Sequence, residues 1–145
     1  MDKIMITNTG MFTFKKFLDK WGELVPIEEK IDVPFSIKRI YYISKVQGGV
    51  RRGFHSHRDL HQALICVHGT VKILVKTPYE EEDILLDDQT KGLYIGPMVW
   101  REMYDFSPDA VLLVLASEHY TESDYIRDYE QYEAEAKEYF SALKV

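Results

Sequence analysis

His55 and His57 stand two residues apart in Arg52-Gly53-Phe54-His55-Ser56-His57, and that spacing is the strongest chemical signal in the chain. In an extended strand, residues two apart project from the same face. The two imidazoles therefore point together, while Phe54 and Ser56 point away. Imidazole is the side chain that exchanges a proton near neutral pH, and it is also a common metal ligand. Two unrelated surface histidines before a hairpin would fit the spacing alone. Gln62 follows at the head of an apolar run, Ala63-Leu64-Ile65-Cys66-Val67, which Gly69 closes. Upstream, Arg39 and Tyr41 share a face of the run Phe35-Ser36-Ile37-Lys38-Arg39-Ile40-Tyr41-Tyr42. An arginine among apolar neighbours is costly to bury without an anion, so Arg39 is a candidate phosphate fork or an edge-strand arginine in solvent.

The elements that must carry these side chains are mostly strands. Strand-like runs cover Met11–Phe17, Leu24–Glu28, Phe35–Val46, Arg52–His57, Gln62–Val67, Val71–Thr77, Asp83–Leu86, Gly92–Ile95, Val99–Phe106 and Val111–Ser117. Turn residues such as Gln47-Gly48-Gly49, His68-Gly69-Thr70 and Ser107-Pro108-Asp109 separate them. Strands so closely spaced, with no helices between, predict an antiparallel sandwich or barrel. The tail changes period: Tyr125, Tyr129, Tyr132, Ala136, Tyr139, Phe140 and Leu143 recur at three- and four-residue steps. With Thr121 and Asp124 as a capping box, the pattern predicts a helix over about 121–143.

At 145 residues the chain fits a single domain over 1–145, with strands over about 11–117. Its net charge of −6 excludes a broad basic surface, so no nucleic-acid partner is expected. A locally basic pocket for one anionic ligand stays open. The single cysteine, Cys66, excludes an intrachain disulfide. No apolar run is long enough to span a bilayer, and a cytoplasmic location with no membrane partner is expected.

The frame of Gly, His-x-His, a polar acceptor and a turn Gly resembles the first motif of the cupin superfamily, whose acceptor slot holds Gln62 here, or His61 if the spacing is one shorter. The second cupin motif corresponds to Gly92–Tyr104, with Pro97 at its turn and Glu102 where metal-binding cupins place a last histidine. The four ligand slots then read His55, His57, Gln62 and Glu102. Two histidines and a carboxylate could hold ferrous iron as a facial triad. A metal-free site in which one histidine is a base fits as well.

Longer blocks narrow the resemblance. Phe35–Ile43, Arg52–His57, Gly92–Trp100, Leu115–Tyr120 and Asp124–Tyr129 together resemble the dTDP-4-keto-6-deoxyglucose 3,4-ketoisomerases, in order, over nearly the whole chain. That resemblance implies an all-β cupin jelly-roll barrel with a C-terminal α-helix. It implies an isomerase, free of metal and redox cofactor, that converts a dTDP-4-keto-6-deoxyhexose to the 3-keto sugar on the way to 3-amino-3,6-dideoxyhexoses. His55 takes the place of the catalytic base, with His57 and Tyr41 as catalytic partners and Arg39 as the diphosphate ligand. Arg52, Gln62, Tyr94, Trp100 and Glu102 complete the expected substrate-binding set, although core packing explains Tyr94 and Trp100 equally well. The family also implies a homodimer in which an N-terminal strand, here Met11–Phe17, adds to the partner's sheet. Two departures stand out: Trp21 precedes Gly22 where relatives often carry Arg, and Arg101 follows Trp100 where some carry His. The first leaves the diphosphate to Arg39, Arg52 or Lys20. A 3,5-epimerase-like enzyme, a metal-dependent cupin oxygenase and a non-catalytic sugar-nucleotide-binding module are the alternatives.

Overall fold

The computed structural model describes residues 5–143, so the expected domain span of 1–145 has its first four and last two residues outside the described ones. The strands are β1 Thr9–Thr13, β2 Phe17–Asp19, β3 Gly22–Leu24, β4 Arg39–Ser44, β5 Arg52–His57 and β6 Gln62–His68. They continue with β7 Val71–Lys76, β8 Glu81–Leu86, β9 Lys91–Ile95, β10 Trp100–Tyr104, β11 Val111–Ala116 and β12 Tyr125–Ile126. Among the described residues a single 3-10 turn, Glu122–Asp124, precedes β12, and one α-helix, α1, spans Tyr129–Leu143.

Ten strands form two five-stranded sheets, in the orders β1-β9-β6-β11-β4 and β12-β5-β10-β7-β8. The fold is the expected all-β jelly roll with a C-terminal helix. Alternation along each strand sorts the apolar residues into layers. Leu64, Cys66, Leu93, Leu112 and Val114 face inward and meet Ile73, Val75 and Met103 of the second sheet. On the outer side of the first sheet, Ala63, Ile65 and Leu115 are covered by Phe12, Phe14, Val33 and Phe35. Because both faces are covered, β6 reads as a continuous apolar run rather than an alternating one. The outer side of the second sheet carries Trp100, which packs under α1 with Tyr132, Ala136 and Phe140.

Four expected elements differ. Met11–Phe17 breaks after Thr13: β1 pairs with β9 and forms an edge of the first sheet, and Phe17 opens β2. The expected strand Leu24–Glu28 is displaced toward the hairpin turn, where Gly22–Leu24 pairs with Phe17–Asp19 as β3, and residues 25–28 leave the ladder with Val25 and Ile27 packed on the outer core. Phe35–Val46 is shortened to β4, because Phe35 and Ile37 leave the ladder to cap the outer core. The helix starts at Tyr129, not at about 121, and Thr121 makes no side-chain cap. Asp124 is held instead against the end of β5: its carboxylate accepts the N–H groups of Arg58 and Asp59 at 3.1 and 2.8 Å. Tyr125 and Ile126 then pair with His57 and Ser56 as β12. The true helix start has Asp128 Oδ1 accepting the Glu130 N–H at 3.1 Å.

Candidate active site

Residues of β4, at the edge of the first sheet, and of β5, beside β12 at the edge of the second, line a cleft of about 510 Å³. Arg39, Tyr41, Arg52, His55, Met103, Tyr125 and Arg127 line it. Arg39 and Tyr41 sit two apart on β4, as their shared face predicts. Arg52 and His55 are three apart on β5, and strict alternation would place them on opposite faces. A bulge resolves this. Arg101 pairs with His55 but Glu102 pairs with Gly53, which leaves Phe54 as an extra residue. Gly53 and Phe54 both take left-handed backbone, at φ +93° and +55°. A side chain at Gly53 would also stand 3.0 Å from the Arg101 carbonyl. The bulge shifts the phase of β5, so that Arg52 and His55 both face the cleft and Phe54 is turned outward.

The two histidines differ in their surroundings. His55 Nδ1 lies 3.0 Å from the Gly53 carbonyl, which can only accept, so Nδ1 carries the proton and Nε2 presents a lone pair. His57 is fully buried, and its Nδ1 donates to Asp124 Oδ2 at 2.9 Å. Its Nε2 has no partner among the described residues. The rings stand edge to face with centroids 4.9 Å apart, and Tyr125 packs against both. Burial, and then the Arg101 cation, push His55 down to about 3 against the opposing Gly53 carbonyl. The same two causes hold His57 lower still. Both imidazoles are neutral at physiological pH, the state a proton acceptor needs.

Charge in the cleft runs against the net charge of the chain. Arg39, Arg52 and Arg127 line it, with no carboxylate among the lining residues. The Arg39 guanidinium lies 5.3 Å from the Tyr41 ring and 5.7 Å from that of Tyr120, and its Nε is buried without a partner among the described residues. Arg101 is buried beneath, lowered to about 10 by burial and still cationic at neutral pH. A concave site rimmed by arginines fits an anion with several oxygens.

Of the expected residues, the structure brings His55, His57, Tyr41, Arg39, Arg52 and Gln62 together and leaves three outside. Tyr94, Trp100 and Glu102 belong to the outward phase of their strands. Tyr94 receives no substrate-facing position: it bonds His61 Nδ1 at 2.6 Å and stacks in the outer core. Trp100 packs against Tyr129 and Tyr132, and donates to Glu102 Oε2 at 2.9 Å. Glu102 also pairs with Arg51 at 2.7 Å. Alternation sets which residues share a face but not which face is inward, and pairing with His55 makes Arg101 the inward one. The four ligand slots therefore do not converge, and no group of three or more His, Cys, Asp or Glu among the described residues could hold a metal ion. Lys20 lies over Trp21 on the β2–β3 hairpin and is not among the cleft residues. Asp124, Tyr125 and Arg127 were not expected here. They lie in the Asp124–Tyr129 block, read as the start of a helix, and only long-range pairing with β5 brings them to the site.

Residues 7–137 match the family model FdtA, described as WxcM-like, C-terminal. A TDP-4-oxo-6-deoxy-alpha-D-glucose-3,4-oxoisomerase of Aneurinibacillus thermoaerophilus is 48% identical over 122 residues, 84% of this chain and 88% of that protein. Among solved structures, the 3,4-ketoisomerase QdtA of Thermoanaerobacterium thermosaccharolyticum is similar at 57% identity and a TM-score of 0.91, over 92% of this chain and 97% of that one. That structure is a histidine-to-asparagine mutant in complex with TDP-4-keto-6-deoxyglucose. The TDP-quinovose 3,4-ketoisomerase WlaRB of Campylobacter jejuni is 40% identical with a TM-score of 0.86, over 89% of this chain and 99% of that one.

Proposed function

The chain belongs to the FdtA, WxcM-like family of TDP-sugar 3,4-ketoisomerases, and from that premise we propose how its own residues carry the reaction. The substrate is dTDP-4-keto-6-deoxy-D-glucose and the product is the dTDP-3-keto-6-deoxyhexose, a precursor for 3-amino-3,6-dideoxyhexoses. One observation carries the reading: a neutral His55 with its Nε2 lone pair unengaged, in one cleft with Tyr41 and three arginines. The carbon-4 carbonyl acidifies the hydrogen on carbon 3, and His55 Nε2 removes it. Tyr41 protonates the carbon-4 oxygen as charge develops there, giving an enediol. The carbon-3 hydroxyl then returns a proton to Tyr41 while His55 delivers its proton to carbon 4. Protons balance, and no redox partner is needed.

Arg39, Arg52 and Arg127 hold the diphosphate. Its negative charge also offsets the cations that depress His55, so binding raises the basicity of the imidazole when it is required. His57, held by Asp124, packs against His55 and fixes its ring. Gln62 does not touch the sugar, being bonded to Arg101 and Tyr41 instead.

A second copy of the chain completes the assembly. The β2–β3 hairpin forms a two-stranded sheet of its own and exposes Phe17, Leu18, Trp21 and Leu24. Strand β4 ends the first sheet with Ile40 and Tyr42 exposed on its outer face. An apolar hairpin and an apolar edge strand on one small domain suit a symmetric dimer better than a monomer. The exchanged element is then this hairpin rather than Met11–Phe17. No described helix is long and apolar enough to cross a membrane, and a free sugar nucleotide as substrate suits the cytoplasm.

Incubation with dTDP-4-keto-6-deoxyglucose, followed by carbon-13 NMR of the sugar, tests the function. The ketone resonance should move from carbon 4 to carbon 3. A ketone kept at carbon 4 with inversion at carbon 3 or 5 would mean an epimerase, and an untouched sugar would mean a binding module.

A further inference from the structure

A short chain of polar groups runs from the floor of the cleft to Tyr41, and chemistry fixes its direction at every link. It starts at the Arg101 guanidinium, which has donors and no acceptor. Nη1 donates to Gln62 Oε1, so the amide oxygen must face Arg101. The amide nitrogen must then face the other way, and Gln62 Nε2 donates to Tyr41 Oη at 3.0 Å. Tyr41 oxygen is thus an acceptor. Its own hydrogen has no acceptor among the described residues and is left for the cleft that Tyr41 lines. Gln62 itself is 1% exposed and is not among the residues lining the cleft.

Resting on the isomerase reading above, we propose that Gln62 is a positioning residue that makes Tyr41 an obligate proton donor to the carbon-4 oxygen, with Arg101 setting the orientation of its amide. When the Tyr41 O–H bond breaks and the proton goes to that oxygen, the phenolate keeps the Gln62 N–H, with the Arg101 cation one link behind. The phenol re-forms when the carbon-3 hydroxyl gives up its proton. Burial raises the Tyr41 hydroxyl above its ordinary range, so it is protonated when substrate arrives.

Two substitutions separate this role from packing. Gln62→Leu removes the donor to Tyr41. Gln62→Glu keeps a partner for Arg101, so it preserves the buried cation if the leucine variant fails to fold. The introduced carboxylate accepts from both sides and turns the Tyr41 hydrogen away from the cleft. Both changes should lower kcat about 10- to 100-fold, the worth of one hydrogen bond to a charged group, with KM within about threefold of wild type. The second readout needs no substrate. With 3-fluorotyrosine placed at position 41, the fluorine-19 shift reports ionisation of that phenol, and its midpoint should rise in both variants. A wild-type kcat in Gln62→Glu, or an unmoved midpoint, overturns the proposal. A wild-type protein that leaves the sugar nucleotide untouched overturns the isomerase reading instead, and the fluorine midpoint still decides the relay.

Discussion

Lowering the pH from 7.5 to 5.0 should destabilise this protein well before its carboxylates titrate, because two imidazoles are folded into the site in neutral form. In the unfolded chain each takes up a proton as the pH falls through about 6.5. In the folded chain His55 does so only at about 3, and His57 lower still. Between those limits the unfolded state binds more protons, so stability rises with pH and is lost as the solution is acidified. Each group then costs about 1.4 kcal/mol per pH unit below its unfolded value, or roughly 2 kcal/mol between pH 7.5 and 5.0. The pair should cost about 4 kcal/mol, a large share of the stability of a domain this size. Urea unfolding at fixed protein concentration, followed by tryptophan fluorescence at the two pH values, measures it. His55→Asn should show about half the wild-type loss, since only His57 remains to titrate. The acid limb of kcat/KM should likewise lie well below pH 6.5, because that parameter reports the free enzyme. A wild-type loss under about 1 kcal/mol, or an equal loss in His55→Asn, would show that the folded histidines titrate normally and refute the reasoning.

Three further outcomes follow from the cleft and its surroundings. Arg39→Ala should raise KM with a smaller loss in kcat if, as proposed, Arg39 holds the diphosphate rather than the reacting carbons; wild-type kinetics would transfer the grip to Arg52 and Arg127. Exhaustive chelation should leave turnover unchanged, because Gln62 and Glu102 are committed to other partners; activity lost on stripping and regained with one added ion would contradict this. Trp21→Ser with Leu18→Ser on the exposed hairpin should shift sedimentation from dimer to monomer, whereas an unchanged sedimentation coefficient would place the dimer contact elsewhere.

The sequence made some of this geometry plain and hid the rest for identifiable reasons. His55 and His57, and likewise Arg39 and Tyr41, are neighbours within one strand, so alternation alone puts each pair on one face. Tyr94 faces outward from β9 in the first sheet, and Trp100 and Glu102 share a phase of β10, but it too is the outward one. That choice depends on which residue of β10 pairs with His55, a contact between separate strands. Arg52 reaches the cleft only because Phe54 is bulged out, and a Gly-Phe pair inside a strand is a faint local signal for a bulge. Asp124 lies 67 residues from His57. The aromatic spacing from Tyr125 to Tyr129 imitates a helical turn, and nothing local to that segment reveals that Tyr125 pairs with β5.

The central claim, that His55 removes the carbon-3 hydrogen of a dTDP-4-keto sugar, is tested most directly by hydrogen exchange in deuterium oxide. Wild-type protein should exchange the carbon-3 hydrogen of dTDP-4-keto-6-deoxyglucose, seen by NMR, as the 3-keto sugar forms. His55→Asn keeps the approximate size of the side chain and removes the basic nitrogen, so exchange and turnover should both fall by ~10²–10⁴-fold. Calorimetry should still find the sugar nucleotide bound, since Arg39, Arg52 and Arg127 are untouched. Exchange at the wild-type rate in His55→Asn, with exchange lost in His57→Asn, would assign the base to His57 and contradict the account.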